Sequence, residues 1–333
     1  MLSVVLPLYN KGHVIVNTLR TVFAQTFQNF EVVIVDDGST DDGVQIIKSN
    51  FDDPRLRIVS QSNQGTAVAR DRGVKESIYN YIAFLDADDE WHTDYLAVMS
   101  EVIKKHPNAG LFSSGGLIRD LQGLHYRLSN KYLNYVGKVD FFENPFLFTH
   151  TSGTIINKEV FLKTEGSPIG MKCLQDFALF VQIALISDFI YVGIPISKYV
   201  GEVAGQTTSA DEEKRYHLLQ FVVLFYNILY RKWADTNKKD HKVKLFFKYD
   251  LRHRFKGFLR TKNWRSLDYF YCNLDKEVVS MLCPLEKLLY KKHCMLLGLS
   301  WINVTKLIWR THRFPVVGEK VDIMEIACKY RVW

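Results

Sequence analysis

Short apolar stretches alternate with amphipathic patterns along the first hundred residues, and this alternation limits the folds that the chain can adopt. Four stretches are predicted strands: residues 2–8, 31–35, 56–60 and 81–85. The segments between and after them predict helices: residues 13–25, 41–50, 66–79 and 94–106. Strands joined through helices pair mainly in parallel and are covered on both faces. The sequence therefore predicts an α/β fold built on a mainly parallel sheet.

Polar residues follow the ends of the predicted strands. They fall into four groups: residues 9–10, 36–37, 63–65 and 86–89. In an open α/β sheet, ligands bind beyond the carboxyl ends of the strands. The sequence therefore predicts a ligand site at that edge of the sheet.

Three carboxylates, Asp86, Asp88 and Asp89, come directly after the apolar stretch 81–85. Clustered carboxylates repel one another, and a bound cation relieves that repulsion. Hard oxygen ligands suit Mg²⁺ or Mn²⁺ that carries a phosphate-bearing substrate. A second interpretation stays open, in which this is an acidic turn and Asp89 or Thr93 caps the next helix.

Residues 36–41 form another acidic group, directly after the apolar stretch 32–35. A carboxylate at this place can accept a hydrogen bond from a ring N–H of a nucleobase, as N3 of uracil offers. Gly38 permits a tight turn. The alternative is a simple turn between strand and helix in which Ser39 or Asp41 caps the helix.

Four motifs occur in order along the chain: residues 4–10, 36–41, 63–73 and 84–89. Together they resemble the family 2 glycosyltransferases, which have a GT-A fold. The resemblance covers residues 1–205 and is specific to the family, although it says little about which sugar is moved. It implies a Rossmann-like, mainly parallel mixed sheet that is flanked by helices and followed by a helical C-terminal extension.

The resemblance also implies residues that bind a nucleotide-sugar donor. Pro7 and Tyr9 would border the nucleotide base, and Asp37 would hydrogen-bond its ring. Arg70 lies in the segment that usually lines the nucleotide or the diphosphate.

Further roles carry over to the motif at residues 86–88 and to later segments. Asp88 would hold Mn²⁺ or Mg²⁺ bridging the diphosphate, and Asp86 would face the ribose or the donor sugar. Ser152 and Gly153 resemble the segment beneath the donor sugar or acceptor, although an ordinary strand-entry turn is the alternative. Glu202 is a candidate metal ligand, because the family often has a His near the metal in this loop. A surface loop without a ligand is the alternative for Glu202.

Inverting transfer needs a carboxylate that takes the proton from the attacking acceptor hydroxyl. In the family this base is the Asp of an acidic motif that begins a later helix, and residues 174–180 occupy that place. Asp176 is therefore the candidate base, although Gln175 stands where the family usually has Glu. The alternative for Asp176 is a carboxylate that the helix dipole favours at an N-terminus.

Charge divides the chain into two parts. Residues 211–333 carry 25 Lys and Arg against 13 Asp and Glu, whereas residues 1–210 are net acidic. We expect a catalytic and nucleotide-sugar-binding domain over 1–210 and a basic, aromatic, mainly helical region over 211–333. That region would associate with an anionic membrane surface, bind the acceptor, or form a homodimer through residues 218–230. A helical subdomain with a solvated basic face is the alternative.

Other features bear on location and partners. No stretch reaches the ~20 apolar residues that span a bilayer, and the N-terminus lacks the features of a signal peptide. The five cysteines show no Cys-x-x-Cys spacing, which predicts reduced thiols. No helix-turn-helix, zinc-knuckle or RNP-like pattern is present, so no nucleic-acid partner is expected. We expect a cytoplasmic protein that is peripheral on the inner face of the cell membrane.

The resemblance implies metal-assisted, inverting transfer of a sugar from a nucleotide-diphosphate donor, most simply a UDP-sugar. The acceptor would be a glycan or lipid-linked saccharide in capsule or O-antigen synthesis. One rival is a non-catalytic nucleotide-sugar or glycan-binding module, which would be expected to lose Asp86, Asp88 or Asp176. The other is a Mg²⁺-dependent phosphatase, whose motif lies on the first strand and is followed by Thr or Val, unlike Asp89 here.

Overall fold

The computed structural model describes residues 1–120, 123–128, 130–143, 145–201, 212–236 and 241–308. These residues form a mixed central sheet flanked by helices, followed by a helical C-terminal region. The α/β fold class predicted from the sequence is confirmed.

The central sheet is parallel at one side and mixed at the other. Within the described residues it has ten strands: β1 (Leu2–Leu8), β2 (Phe30–Asp36), β3 (Leu56–Ser60), β4 (Tyr81–Phe84), β5 (Glu90–Trp91), β6 (Leu111–Asp120), β7 (Gly123–Arg127), β8 (Val136–Val139), β9 (Thr154–Asn157) and β10 (Phe189–Val200). The order is β3-β2-β1-β4-β9-β6-β10-β5, with β7 beside β6 and β8 beside β10. Strands β3, β2, β1 and β4 are parallel, whereas β9 is antiparallel to both β4 and β6.

Helices cover the sheet and form the C-terminal region. The described helices are α1 (Ile15–Phe23), α2 (Gly43–Asn50), α3 (Thr66–Glu76), α4 (Tyr95–Lys105), α5 (Pro145–Phe148), α6 (Lys158–Phe161), α7 (Gln175–Ile186), α8 (Glu212–Asp235), α9 (His241–Thr261), α10 (Trp264–Asn273), α11 (Lys276–Ser280), α12 (Pro284–Lys291) and α13 (Met295–Ile308). No helix among the residues described is both long and apolar enough to cross a membrane.

Strand β1 is central and fully buried, which explains its run of aliphatic residues. Its pairing with β4 covers Ser3–Val5, whereas its pairing with β2 continues to Leu8. Pro7 has no N–H to donate to a ladder, and it lies where β1 is paired with β2 alone. The sheet therefore opens beside Pro7, at the carboxyl end of β1.

Alternate residues of β1 enter different hydrophobic clusters. Val4 and Leu6 pack with residues of α1 and α4, while Val5 packs with α3 and α7. This period of two is what a strand buried on both faces requires. The sheet therefore separates two cores, as in other layered α/β proteins.

Helix α3 lies unusually close to β1. A Cβ added at Gly73 would overlap the side chain of Val5, so a residue with a side chain would push the helix away. Arg70 lies on the same helix, one turn earlier, and is buried. The close packing at Gly73 therefore holds Arg70 near the end of β4, where the site is built.

The C-terminal helices share a core with the sheet. The ring of Phe225 on α8 lies 5.2 Å from that of Phe177 on α7, and both belong to the cluster that includes Val5. Several residues from the stretch predicted as a dimer face are buried in this core: Leu219, Val223, Phe225, Tyr226 and Leu229. They are therefore not free to contact a second chain, and the homodimer stays a prediction.

Several predicted bounds differ from the structure. The helix predicted to end at residue 79 ends at Glu76, because Ser77 is extended and its N–H caps the helix by bonding Gly73 O. Strand β10 runs from Phe189 to Val200, past irregular pairing around Pro195. Strands β5, β7 and β8 were not predicted; each pairs antiparallel with a single neighbouring strand, and such pairing depends on the folded sheet.

Candidate active site

A cavity of about 470 Å³ opens at the carboxyl ends of β1, β2 and β4. Seven residues predicted from the sequence line it: Pro7, Tyr9, Asp37, Arg70, Asp86, Asp88 and Asp176. Tyr9 is 46% exposed at the rim, and Arg70 is buried at the base. Residues that are far apart in sequence therefore meet at the edge of the sheet where a ligand was expected.

Asp36 and Asp37 have different surroundings. Asp36 Oδ1 accepts the Ser39 N–H at 3.0 Å and so closes the turn after β2. Asp37 is 2% exposed and accepts N–H groups of Gln64 at 2.9 Å and Gly65 at 2.8 Å. These bonds fix the Asp37 carboxylate at the wall of the cavity and hold the loop before α3 against it. Asp36 therefore has the structural role, and Asp37 is placed to meet a ligand.

Arg70 and Asp86 form a buried ion pair at the base of the cavity. Burial raises the pKa of the Asp86 carboxyl, although the Arg70 guanidinium acts against that shift. For Arg70, burial favours the neutral form, but the carboxylates of Asp86 and Asp176 outweigh it and raise its pKa. Nε and Nη1 of Arg70 have no hydrogen-bond partner within the described part of the chain. The Arg70 side chain is therefore buried with only part of its hydrogen-bonding capacity used.

Lys11 is a site residue that the sequence reasoning missed. Its Nζ donates to Asp88 Oδ2 at 2.8 Å, and the two side chains are 16% and 12% exposed. Lys11 follows the polar pair at residues 9–10 after β1, and a lysine at the end of a central strand could have been recognised as an anion-binding group. The residue predicted to hold a metal ion is therefore paired with an ammonium group in this structure.

Asp89 holds the acidic motif to the rest of the site. It is 2% exposed and accepts hydrogen bonds from Ser152 Oγ and from the N–H of Val200. Ser152 Oγ accepts the Asp86 N–H at 3.1 Å, and Trp91 Nε1 donates to Ser152 O. Burial and the nearby Asp86 charge raise the pKa of Asp89 well above its usual value. These contacts fix the turn at residues 86–89.

The alternative in which Asp89 or Thr93 caps the next helix is wrong. Asp94 occupies the N-cap of α4, and no side chain makes a capping hydrogen bond there. Asp89 instead faces Ser152 and Val200. The acidic cluster is therefore not explained by helix capping.

Ser152 and Gly153 are buried in a short turn before β9 and do not line the cavity. A Cβ added at Gly153 would overlap the ring of His150, which does line the cavity and whose Nε2 lies 2.7 Å from Ser197 Oγ. Gly153 therefore makes room for His150, and Ser152 braces Asp86 and Asp89. Direct contact of either residue with a sugar stays a prediction.

Asp176 lies in the first turn of α7 and faces the cavity. Oδ2 accepts the Thr151 hydroxyl at 2.6 Å, and Oδ1 accepts the Phe177 N–H at 2.8 Å. Leu174, just before the helix, has φ of 60°, a conformation that non-glycine residues adopt at some cost. Thr151 was not predicted as a site residue, although it precedes the predicted Ser152. The carboxylate is therefore held in one orientation.

The donor atoms in the cavity fit a divalent cation that a substrate helps to bind. No group of three or more His, Cys, Asp and Glu side chains in the described residues is arranged to hold a metal ion alone. Mg²⁺ is usually bound through one or two carboxylates together with substrate phosphates, and Asp88, the predicted ligand, lines the cavity. Glu202, the other predicted ligand, lies outside the described residues.

Comparison with known proteins relates this chain to glycosyltransferases. Residues 3–164 match the sequence model of glycosyl transferase family 2. The amylovoran biosynthesis glycosyltransferase AmsB of Erwinia amylovora is 35% identical over 127 residues, which are 35% of this chain and 42% of that protein. The matching segments span from 15% to 48% of the lengths of the curated relatives.

Solved structures show the same fold over nearly the whole chain. TarS 1–349 of S. aureus, in complex with UDP-GlcNAc, superposes with a TM-score of 0.69 at 16% identity and covers 94% of this chain and 92% of that chain. The mannosyltransferase PcManGT of Pyrobaculum calidifontis, in complex with GDP-Man and Mn²⁺, has a TM-score of 0.58 at 19% identity, covering 93% and 87%.

The fold and the family match together define a glycosyltransferase domain of the GT-A type. Residues 3–164 are therefore the part of the chain that matches glycosyl transferase family 2.

Proposed function

We propose that this protein transfers a sugar from a nucleotide-diphosphate donor, most simply a UDP-sugar, to a glycan or lipid-linked saccharide acceptor. The process served would be the synthesis of a bacterial surface polysaccharide such as capsule or O-antigen. One observation carries the proposal: Asp176, the pair Asp86 and Asp88, and the predicted nucleotide-binding residues line a single cavity. The names of AmsB and the UDP-GlcNAc complex of TarS support the same class of reaction.

The donor would lie along the carboxyl ends of β1, β2 and β4. Its base would pack beside Pro7 and Tyr9, since both line the cavity and Tyr9 is partly exposed. Asp37 would accept a hydrogen bond from the base ring, because each carboxylate oxygen can accept more than one donor. The diphosphate would then reach the basic side chains of Lys11 and Arg70.

Asp176 would act as the general base on the acceptor hydroxyl. As the acceptor oxygen bonds to the anomeric carbon, the bond to the diphosphate breaks, and the hydroxyl proton passes to the Asp176 carboxylate. Attack from the face opposite the leaving group inverts the configuration at that carbon. The Thr151 hydroxyl donates to Asp176 Oδ2 at 2.6 Å. This bond orients Oδ1 and the remaining lone pairs of the carboxylate.

Asp88 would hold Mn²⁺ or Mg²⁺ together with the oxygens of the diphosphate, and Asp86 would face the ribose or the donor sugar. The ion, when bound, would offset the negative charge that develops on the leaving diphosphate. Carboxylates in the cavity support this proposal, since Asp37, Asp86, Asp88 and Asp176 outnumber the cationic Lys11 and Arg70. A diphosphate entering this cavity without an additional cation would be repelled.

The proposal is tested by separating donor binding from transfer. Asp176→Asn is expected to bind the donor nucleotide as the unchanged protein does and to lose transfer by roughly 10²–10⁴-fold, the usual contribution of a general base. Gln175→Ala, one residue away, is the matched control and should keep most of the activity. Full transfer by Asp176→Asn, measured with a panel of nucleotide sugars and acceptor glycans, contradicts the proposed role of Asp176.

We also propose that the protein is peripheral on a membrane through α12 and α13. Leucines on these helices are exposed, with Leu296 at 72% and Leu297 at 65%. Lys291, the last residue of α12, and Lys292, which follows it, are exposed as well. Apolar side chains beside lysines suit the boundary of an anionic bilayer.

A further inference from the structure

One ion pair in the cavity conflicts with the proposed use of its carboxylate. Lys11 Nζ donates to Asp88 Oδ2 at 2.8 Å, and both side chains are mostly buried. Asp88 is also the residue proposed to hold the divalent cation. An ammonium group and a metal ion both neutralise a carboxylate, so they compete for Asp88. Lys11 must therefore weaken its contact with Asp88 when the metal binds.

The two basic residues of the cavity differ in how far their side chains can move. Arg70 is fixed, because its side chain is 7% exposed, pairs with Asp86 and lies on the closely packed helix α3. Lys11 lies in the segment between β1 and α1 and has a flexible four-carbon stem. A lysine released from Asp88 remains in the cavity, where the diphosphate is the strongest anion that enters. Lys11 can therefore exchange one anionic partner for another, whereas Arg70 cannot.

We propose that Lys11 is an exchange cation: it neutralises Asp88 in the free protein and moves to the donor diphosphate when the metal takes Asp88. The inference rests on the proposed function, since it needs both a metal ion and a diphosphate. It gives Lys11 opposite effects on two ligands. Lys11 opposes binding of the metal alone, and it favours binding of the nucleotide once the metal is present.

The test uses the unchanged chain and Lys11→Met, which keeps most of the length of the side chain and removes its charge. Mn²⁺ binding without nucleotide is measured from the EPR signal of free Mn²⁺. Binding of UDP, GDP and CDP is measured by calorimetry at saturating Mn²⁺. We expect Lys11→Met to bind Mn²⁺ roughly fivefold to tenfold more tightly, the effect of one modest ion pair. It should bind the nucleotide roughly tenfold to a hundredfold more weakly, as for a lost charged hydrogen bond.

Lys104→Met is the matched control, because Lys104 is exposed and pairs with Glu101 on α4; neither affinity should change. Weaker Mn²⁺ binding by Lys11→Met would show that Lys11 positions Asp88 for the metal, and it overturns the exchange. Unchanged nucleotide binding overturns it too. If Lys11→Met does not unfold cooperatively, Lys11→Gln is measured instead and must give the same two shifts.

Failure of the proposed function gives a different result. An unchanged protein that binds Mn²⁺ but none of the three nucleotides contradicts the proposed donor site, whatever Lys11→Met does to Mn²⁺ binding. If the unchanged protein binds both Mn²⁺ and a nucleotide, and Lys11→Met changes neither affinity, only the proposed role of Lys11 is contradicted.

Discussion

At the scale of single residues, the cavity is built by side chains that hold one another in place. Asp37 is fixed by backbone N–H groups, Asp86 by Arg70, and Asp89 by Ser152 and the backbone of Val200. Buried carboxylates without such partners would be strongly destabilising. The acidic residues therefore keep fixed positions before any ligand binds, as a preorganised site requires.

Thr151→Val tests whether the Thr151 hydroxyl orients the candidate base. Valine has the same shape but cannot donate to Asp176 Oδ2. We expect kcat to fall about tenfold, the effect of one hydrogen bond to a charged group, with unchanged affinity for the donor nucleotide. Thr151→Ser keeps the hydroxyl and should retain most of kcat. Equal kcat values for the valine and serine variants, measured under donor saturation, would show that the hydroxyl has no positioning role.

The chemical types of the site residues could be predicted from the sequence better than the contacts between them. Asp37, Asp86 and Asp176 follow strands or begin a helix in recognisable motifs, and all three line the cavity. Lys11 and Thr151 were missed, because their importance comes from partners 77 and 25 residues away in the chain. Gly153 was expected beneath a sugar, but the sequence could not reveal the ring of His150 beside it.

At the scale of helices and strands, a buried ion pair joins two helices of the C-terminal region. Glu286, at the start of α12, is fully buried and pairs with Arg252 of α9. It also accepts the N–H of Cys283 at 2.8 Å, which caps the helix. Burial alone would raise the pKa of Glu286, but the hydrogen bonds from Arg252 and Cys283 outweigh it and hold the pKa below its usual value.

Glu286→Gln should lower the free energy of unfolding by about 2–4 kcal/mol, because Arg252 loses its buried partner. A carboxyl with a lowered pKa in the folded state stabilises the protein above its unfolded pKa and loses that contribution as pH falls. The difference should therefore be full at pH 6 and shrink below about pH 4.3. Glu101→Gln removes an exposed pair with Lys104, which solvent screens, and should change stability far less. Urea unfolding at several pH values measures both, and equal effects of the two variants would contradict this account.

The elements that could be predicted are those with a clear period and length. Leu2–Leu8 and Leu56–Ser60 have the predicted bounds, and the predicted helices differ from α1 and α4 by one or two residues at each end. Strand β5 has two residues and no pattern of its own, and it forms because β10 lies beside it. Such pairing depends on the folded sheet and leaves no signal in the local sequence.

At the scale of the whole molecule, the catalytic and C-terminal parts are not independent in their packing. Phe177, next to the candidate base, stacks on Phe146 at 4.4 Å between ring centres and also contacts Phe225 of α8. The basic composition after residue 211 predicted a separate region, but it could not show this shared core. A division of functions at residue 210 stays a prediction, whereas in packing the two parts share one core.

The membrane proposal is also a statement about the whole molecule. Replacing Leu296 and Leu297 together with Ser should reduce binding to anionic lipid vesicles by more than tenfold, since each exposed leucine would bury apolar surface in the bilayer. The control replaces Leu162 and Ile169 with Ser. These two residues lie outside α12 and α13, and they are 61% and 85% exposed. Cosedimentation with anionic and zwitterionic vesicles measures the effect. Equal loss in both double variants, or no binding by the unchanged protein, contradicts the proposed surface.

The central claim is that the cavity binds a nucleoside diphosphate together with a divalent cation. Calorimetric titration of the unchanged protein with UDP, GDP and CDP, each in Mn²⁺ and in EDTA, tests it most directly. We predict that UDP binds most tightly in Mn²⁺ and at least tenfold more weakly in EDTA, because the carboxylates then repel the diphosphate. Absence of binding by all three nucleotides in Mn²⁺ would contradict the account.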